Sequence, residues 1–133
     1  AMMVRADLFE MLGGFDTTFD PFGPEDLDFS LRLQKAGYQA LYAPEAMAYH
    51  EVSHTTGTDG YSEGYAEHRS RHWLTFMLRH ASVWQKLGFF LIGAPVIAFR
   101  IVLREGKRGN WRALKGLLKG VLRSSRGRFG NAK

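Results

Sequence analysis

Cysteine is absent from the chain. Neither a disulfide framework nor a thiolate metal site can therefore contribute to the fold or the chemistry, and the composition fits a reducing compartment. Acidic side chains are nearly missing from the second half. Residues 69–133 carry fifteen basic groups and one acid, Glu105, while residues 1–68 carry three basic groups and twelve acids. The halves therefore hold +14 and −9, which together make the formal +5 of the chain. A basic half joined to an acidic half suggests that the tail faces something anionic, with lipid and nucleic acid the candidates. An uncharged run long enough to be a plain membrane span is also missing. Leu87–Phe99 is thirteen residues without a charge, bracketed by Lys86 and Arg100 and interrupted by Pro95, whereas a span needs about twenty. An interfacial or re-entrant segment fits that run better. Ala1-Met2-Met3-Val4-Arg5 lacks the basic start and apolar run of a secretory signal.

What is present centres on GGFDTTFDPFGPEDLDFSLRLQKAGY, residues 13–38. Pro24 can open a helix because its missing N–H would be unpaired there anyway. Glu25 and Asp26 then fall in the first turn, where free N–H groups and the helix dipole favour negative charge. Gly37 suits a left-handed C-terminal cap. Leu27, Phe29, Leu31 and Leu33 alternate like a strand, but the end signals and the Leu27–Leu31 and Phe29–Leu33 pairs favour a helix. On that helix Asp28, Arg32 and Lys35 share one face, which reads as a solvated ion-pair face. Asp26 points the other way, among Phe29, Ser30 and Leu33. A carboxylate there is either an N-terminal cap using the dipole or a general base beside a cleft.

Around this centre, Met2–Val4 reads as a short strand and Ala6–Leu12 as a helical turn burying Leu8, Phe9 and Leu12. Gly13-Gly14 break it, Phe15 and Phe19 pack beneath, and Asp16 can cap the turn with its side chain. Tyr38–Tyr42 and Ala46–Tyr49 read as short strands about a turn at Ala43-Pro44-Glu45, and residues 55–60 as a loop. Tyr61–His80 reads as a helix with Tyr65, Trp73, Phe76 and Met77 as its apolar stripe. Asn110 can cap a last helix in which Trp111, Leu114, Leu117, Leu118, Val121 and Leu122 form an apolar face ringed by Arg112, Lys115, Lys119 and Arg123. That pattern suits a helix lying in an anionic membrane surface or one packed on its own domain; the neighbouring apolar run favours the membrane.

GGFD-x-x-F, then EDLDFSLRLQKAGY, then a short β-like run, Pro-Glu-Ala and a histidine resembles the acceptor half of a family 2 glycosyltransferase of the GT-A type. The resemblance runs from about Ala1 to about Ser82 and more loosely to the end. It implies an α/β fold, the C-terminal part of a Rossmann-like GT-A domain, over residues 1–82. Residues 83–133 follow as apolar and basic amphipathic helices forming a membrane-interface tail. It implies Asp26 as the base that takes the acceptor proton, with Glu25 helping to hold acceptor or donor. Gly13 and Gly14 line the site, and His50 reaches a divalent ion, Mg or Mn, or the diphosphate. Asp28 and Arg71 are further substrate-binding candidates. The implied partners are a nucleotide-sugar donor, a lipid-linked or saccharide acceptor and an anionic membrane surface, with no nucleic acid. The implied location is the cytoplasmic face of the cell membrane, peripheral or monotopic. The nucleotide-binding βα units and aspartate-rich metal motif of such an enzyme are expected before Ala1.

Two other readings compete. His50-Glu51-Val52-Ser53-His54 matches the H-E-x-x-H zinc-protease signature, and Gly57 fits its extended form. The third-ligand position is Gly60, however, and Thr55-Thr56-Gly57 cuts off the helix that would bring both histidines to one face. A nucleic-acid module is the other, but the aromatics of the basic half sit in apolar runs rather than between the charges.

Overall fold

The structure is a computed structural model and describes residues 2–49 and 62–126. Helix α1 (Ala6–Met11) leads through the glycine turn to a 3-10 turn (Thr17–Phe19), and then to α2 (Glu25–Lys35). Residues 38–49 run without regular structure apart from a turn at Pro44-Glu45. Helix α3 (Glu63–His80) follows, then α4 (Val83–Gly88), a π turn (Phe89–Gly93), α5 (Ala94–Lys107) and α6 (Trp111–Arg126).

Among the described residues there is no strand, and the α/β fold is not seen in this chain by itself. The expected strands at Tyr38–Tyr42 and Ala46–Tyr49 are exposed, irregular chain, and Met2–Val4 carries no ladder either. A strand exists only through its ladder partners, and none of these segments finds one among the described residues. Leu41, Tyr42, Met47 and Tyr49 consequently stand almost fully in solvent. The accessible surface is 10567 Å², against roughly 7,100 Å² for a compact monomer of this mass.

The centre folds as its end signals require. Pro24 precedes the first turn of α2, and Gly37 takes φ 88° just past its end. Phe29 is fully buried and packs with Phe9 and Phe15 at centroid distances of 5.3 and 5.5 Å. Phe19 is also fully buried, but lies against α3, with Phe76 6.5 Å and His72 6.2 Å away and the Arg79 guanidinium 5.1 Å above its ring. Leu8, Phe9 and Leu12 of the first segment are half-buried rather than buried.

Helices α3 and α6 form the largest interface of the fold. They meet through small residues: Ala66 of α3 lies against Gly116, and Ala113, Gly116 and Gly120 of α6 are all buried. A Cβ at Gly116 would fall on the Glu63 carbonyl, and one at Gly120 on Ser70 Oγ and the Glu67 carbonyl, so only glycine lets the backbones approach this closely. Ser70 Oγ lies 3.2 Å from the Leu117 carbonyl, and Lys119–Glu63 and Arg123–Glu67 ion pairs flank the seam. The register advances in the same direction along both helices, so α3 and α6 run parallel. Of the two settings open to the last helix, packing on its own domain is the one seen for its small residues, while Trp111, Leu118, Val121 and Leu122 of the expected apolar face stay uncovered.

Pro95, expected to kink the run, does not end it. Val83–Lys107 is one helical run of 25 residues. The π turn directly before Pro95 closes with the Ala94 N–H on the Phe89 carbonyl, a widened turn that makes room for the pyrrolidine ring. No part of this helix's apolar stretch is buried, and its mean hydropathy is 1.9.

Candidate functional site

Of the sequence-derived candidates, Glu25, Asp26 and Asp28 lie on α2, and the glycine turn is tied to the same helix. Gly13 and Gly14 both adopt positive φ, 73° and 70°, and their turn is held from α2. Arg32 Nη1 donates to the Leu12 carbonyl and Nη2 to the Gly14 carbonyl, both at 2.7 Å, while Nε donates to Asp28 Oδ2 at 2.8 Å. One guanidinium therefore ties the glycine turn to the helix, a planar fork that lysine could not reproduce.

Asp28 is the hub of this arrangement. Its side chain is fully buried, whereas the sequence reading placed it on a solvated face. Besides Arg32, its Oδ1 meets His80 Nε2 at 2.7 Å and Arg79 Nη1 at 3.3 Å. Lys35 Nζ lies 3.2 Å from His80 Nδ1. Lysine only donates, so Nδ1 accepts and Nε2 carries the proton given to Asp28. Burial pushes the Asp28 carboxyl up, but hydrogen bonds from His80, Arg32 and Arg79 outweigh it and hold the group below the usual carboxylate range. Arg79 also reaches Asp16 Oδ2 at 2.5 Å. Asp16 caps its turn as expected, accepting from the Thr18 N–H at 2.8 Å. Burial opposes ionisation of Asp16, yet the bonds from Thr18 and Arg79 bring it down to about 2.

Asp26 is placed differently. It is exposed, and it lines an open groove of about 590 Å³ with Met2, Val4, Ala6, Phe9 and Phe15. Oδ1 accepts from the Leu27 N–H at 2.8 Å. Pro24 and Asp26 therefore frame a helix start at which one carboxylate oxygen faces water above an apolar wall. Glu25 is half-buried, and its Oε2 is enclosed without a hydrogen-bond partner. Gly13 and Gly14 are not in the groove lining, although Gly14 lies against the ring of Phe9, which is. Arg71 lies on α3, apart from Asp26's groove lining.

Sequence reasoning passed over Arg79 and His80, which lie 51 and 52 residues from Asp28. It also passed over His72. That ring is 1% exposed, neither nitrogen has a hydrogen-bond partner, and His68 stacks 5.5 Å away. Burial, with the charges of His68 and Arg71, pushes its pKa down to about 4, so it is neutral at pH 7.

His50 and the whole His50–His54 motif lie outside the described residues. Among the described residues no group of three or more histidine or carboxylate side chains converges as metal ligands. Asp26 alone does not make a metal site.

The described residues thus hold a glycine turn braced by an arginine, an acidic pair at a helix start and an apolar groove beneath the second acid. The family model of Glycosyl transferase family group 2 matches residues 1–111, and the chain belongs to that family. Over 120 residues it is 32% identical to the N-acetylglucosaminyl-diphospho-decaprenol L-rhamnosyltransferase of Mycobacterium tuberculosis, in strains CDC 1551 / Oshkosh and ATCC 25618 / H37Rv alike. The match covers 90% of this chain and 38% of the relative's length. No solved structure matches.

Proposed function

We propose that this chain is the acceptor-side part of an inverting glycosyltransferase. The enzyme transfers a sugar from a nucleotide-sugar donor to a hydroxyl of a lipid-linked saccharide, at the cytoplasmic face of the membrane. One observation carries the reading: Asp26, the second acid of the pair, is the carboxylate exposed in the groove, while Asp28 two residues on is buried as structural support. Asp26 Oδ2 is left to accept the proton of an acceptor hydroxyl. The freed oxygen attacks the anomeric carbon as the bond to the nucleoside diphosphate breaks on the opposite side, which inverts the centre. Glu25 is the group to orient acceptor or donor, and the glycine turn lets backbone approach the sugar. Arg71 is the candidate for a phosphate, and Asp28, fully buried among Arg32, Arg79 and His80, would support the site rather than touch substrate. His50 would be the residue of this chain to hold the divalent ion generally used by the family, which would supply positive charge for a diphosphate. Residues 1–82 would form the catalytic portion and 83–133 the membrane-associated portion.

The acceptor class is supported by the relative's printed activity on a diphospho-decaprenol-linked sugar, and by the unburied apolar helix that follows α3. The test is turnover by the full-length enzyme of a panel of nucleotide-activated sugars, a rhamnosyl donor included, on N-acetylglucosaminyl-diphospho-polyprenol. Asp26→Asn is expected to lose about 10²–10⁴-fold in kcat with an unchanged melting temperature. Full turnover by that variant would remove Asp26 from the chemistry.

A further inference from the structure

The Val83–Lys107 helix is long and apolar enough to cross a bilayer, yet its two ends are tied to one body. Its start follows His80, which is bonded to Asp28; its end is locked by buried Glu105. Oε1 of Glu105 accepts from Arg104 at 2.6 Å and Oε2 from Asn110 Nδ2 at 2.9 Å, and the Asn110 N–H closes on the Glu105 carbonyl. From there α6 runs back along α3 in parallel register. Gly116 lies over Glu63, so at 1.5 Å per residue Trp111 and His80 are about 33 Å apart along the α3 axis. The connecting helix is itself about 37 Å long, so it lies alongside α3 and α6 with its axis nearly antiparallel to both.

That geometry decides between crossing and lying flat. A bilayer crossed by Val83–Lys107 would also be entered by α3 and α6, with Glu63, Glu67, Arg69, Arg71, Lys115 and Arg123. Each charge at mid-bilayer costs at least about 2.5 kcal/mol. A bilayer parallel to the helix meets no such charge. Arg100, Arg104 and Lys107 fall on one face of α5 at i, i+4 and i+7, while exposed Phe99 and Val102 fall on the other. Trp84 stands exposed near the start and Trp111 just past the end, the level preferred by amphipathic rings at a membrane interface.

We infer that Val83–Lys107 is an in-plane membrane anchor, both ends on the side where Asp26 lies, and that its occupant is the anionic headgroup–acyl boundary of a bilayer. The inference rests on the membrane location proposed above and deepens it into a topology. This chain has no cysteine of its own, so the test is made in the full-length enzyme expressed in a bacterium, with every cysteine outside this chain first replaced by serine. Single variants Ser82→Cys and Lys107→Cys are exposed to a membrane-impermeant maleimide in inverted membrane vesicles and in intact spheroplasts, with detergent-solubilised protein as the folding control. Labelling of both sites in inverted vesicles and of neither in spheroplasts is expected. Labelling of the two sites from opposite sides would overturn the in-plane topology and leave the membrane location standing. Recovery of the protein in the soluble fraction, with sugar transfer retained, would overturn the anchor and the location together but not the transferase reading.

Discussion

His80 Nε2 lies 2.7 Å from Asp28 Oδ1, and this contact joins the last turn of α3 to the first turn of α2. Arg79 from α3 and Arg32 from α2 complete the shell, so the buried carboxylate carries more positive donors than its own charge requires. Breaking a buried network by neutralising one partner costs about 3–5 kcal/mol, because the others are left uncompensated. Asp28→Asn is therefore expected to lower unfolding free energy by roughly 3 kcal/mol in denaturant titration, whereas Asp26→Asn leaves it unchanged. Equal stability of the two variants would mean that the hub does not hold the fold.

His72 makes stability depend on pH above the carboxylate range. Its folded pKa of about 4 lies below the unfolded value near 6.5. The unfolded chain therefore binds the proton first, so stability is fully present above about pH 6.5 and falls as pH drops toward 4. The loss amounts to at most about 3 kcal/mol. In His72→Phe the slope of stability between pH 6.5 and 4 should flatten relative to the parent, read from denaturation midpoints at each pH. A slope identical in both proteins would place the titration elsewhere.

Gly120 and Gly64 are both helical glycines, and alanine should act on them in opposite directions. A Cβ at Gly120 meets the Glu67 carbonyl and Ser70 Oγ, while one at Gly64 meets nothing within 4 Å. Gly120→Ala is expected to destabilise by about 1–3 kcal/mol through overpacking. Gly64→Ala should stabilise by about 0.5 kcal/mol by restricting the unfolded chain. Thermal melts of the two variants decide it, and a tolerated Gly120→Ala would contradict the close α3–α6 crossing.

Arg32 provides the most specific check on the glycine turn. Lysine retains the charge but has no planar fork to reach Asp28, the Leu12 carbonyl and the Gly14 carbonyl together. In the full-length enzyme Arg32→Lys is expected to raise the acceptor KM several-fold, about 1 kcal/mol per lost bond, with the donor KM unchanged. A shift in the donor KM alone would assign the turn to the other substrate.

The helix around the acidic pair was legible because its boundaries are written locally, in Pro24 and Gly37, and local signals do not depend on the rest of the fold. The hub was not. A helical wheel correctly groups Asp28, Arg32 and Lys35, but whether that face meets water is decided by Arg79 and His80, far along the chain. The last helix was legible only in part, for a different reason. Its leucines announce an apolar face, while its true contact is made by Ala113, Gly116 and Gly120, where the absence of side chain is what matters and hydrophobicity has nothing to register. The strand readings failed because a ladder is a property of two segments, and alternation along 38–42 describes only one of them. Asp26 was found through the resemblance; spacing alone left cap and base open, and the carboxylate both accepts the Leu27 N–H and lines the groove, so the two roles are compatible in one side chain.

Ala81 and Ser82 are the only residues between α3 and α4, both in extended backbone, and the Ser82–Gln85 capping box restarts the helix at once. Such a joint is an elbow rather than a tether. With the following helix in the plane of a membrane, Asp26 is carried at a set height above the lipid and moves with the enzyme as it diffuses in two dimensions. Acceptors would then be sorted by how far their hydroxyl stands from the bilayer, a ruler built from two residues.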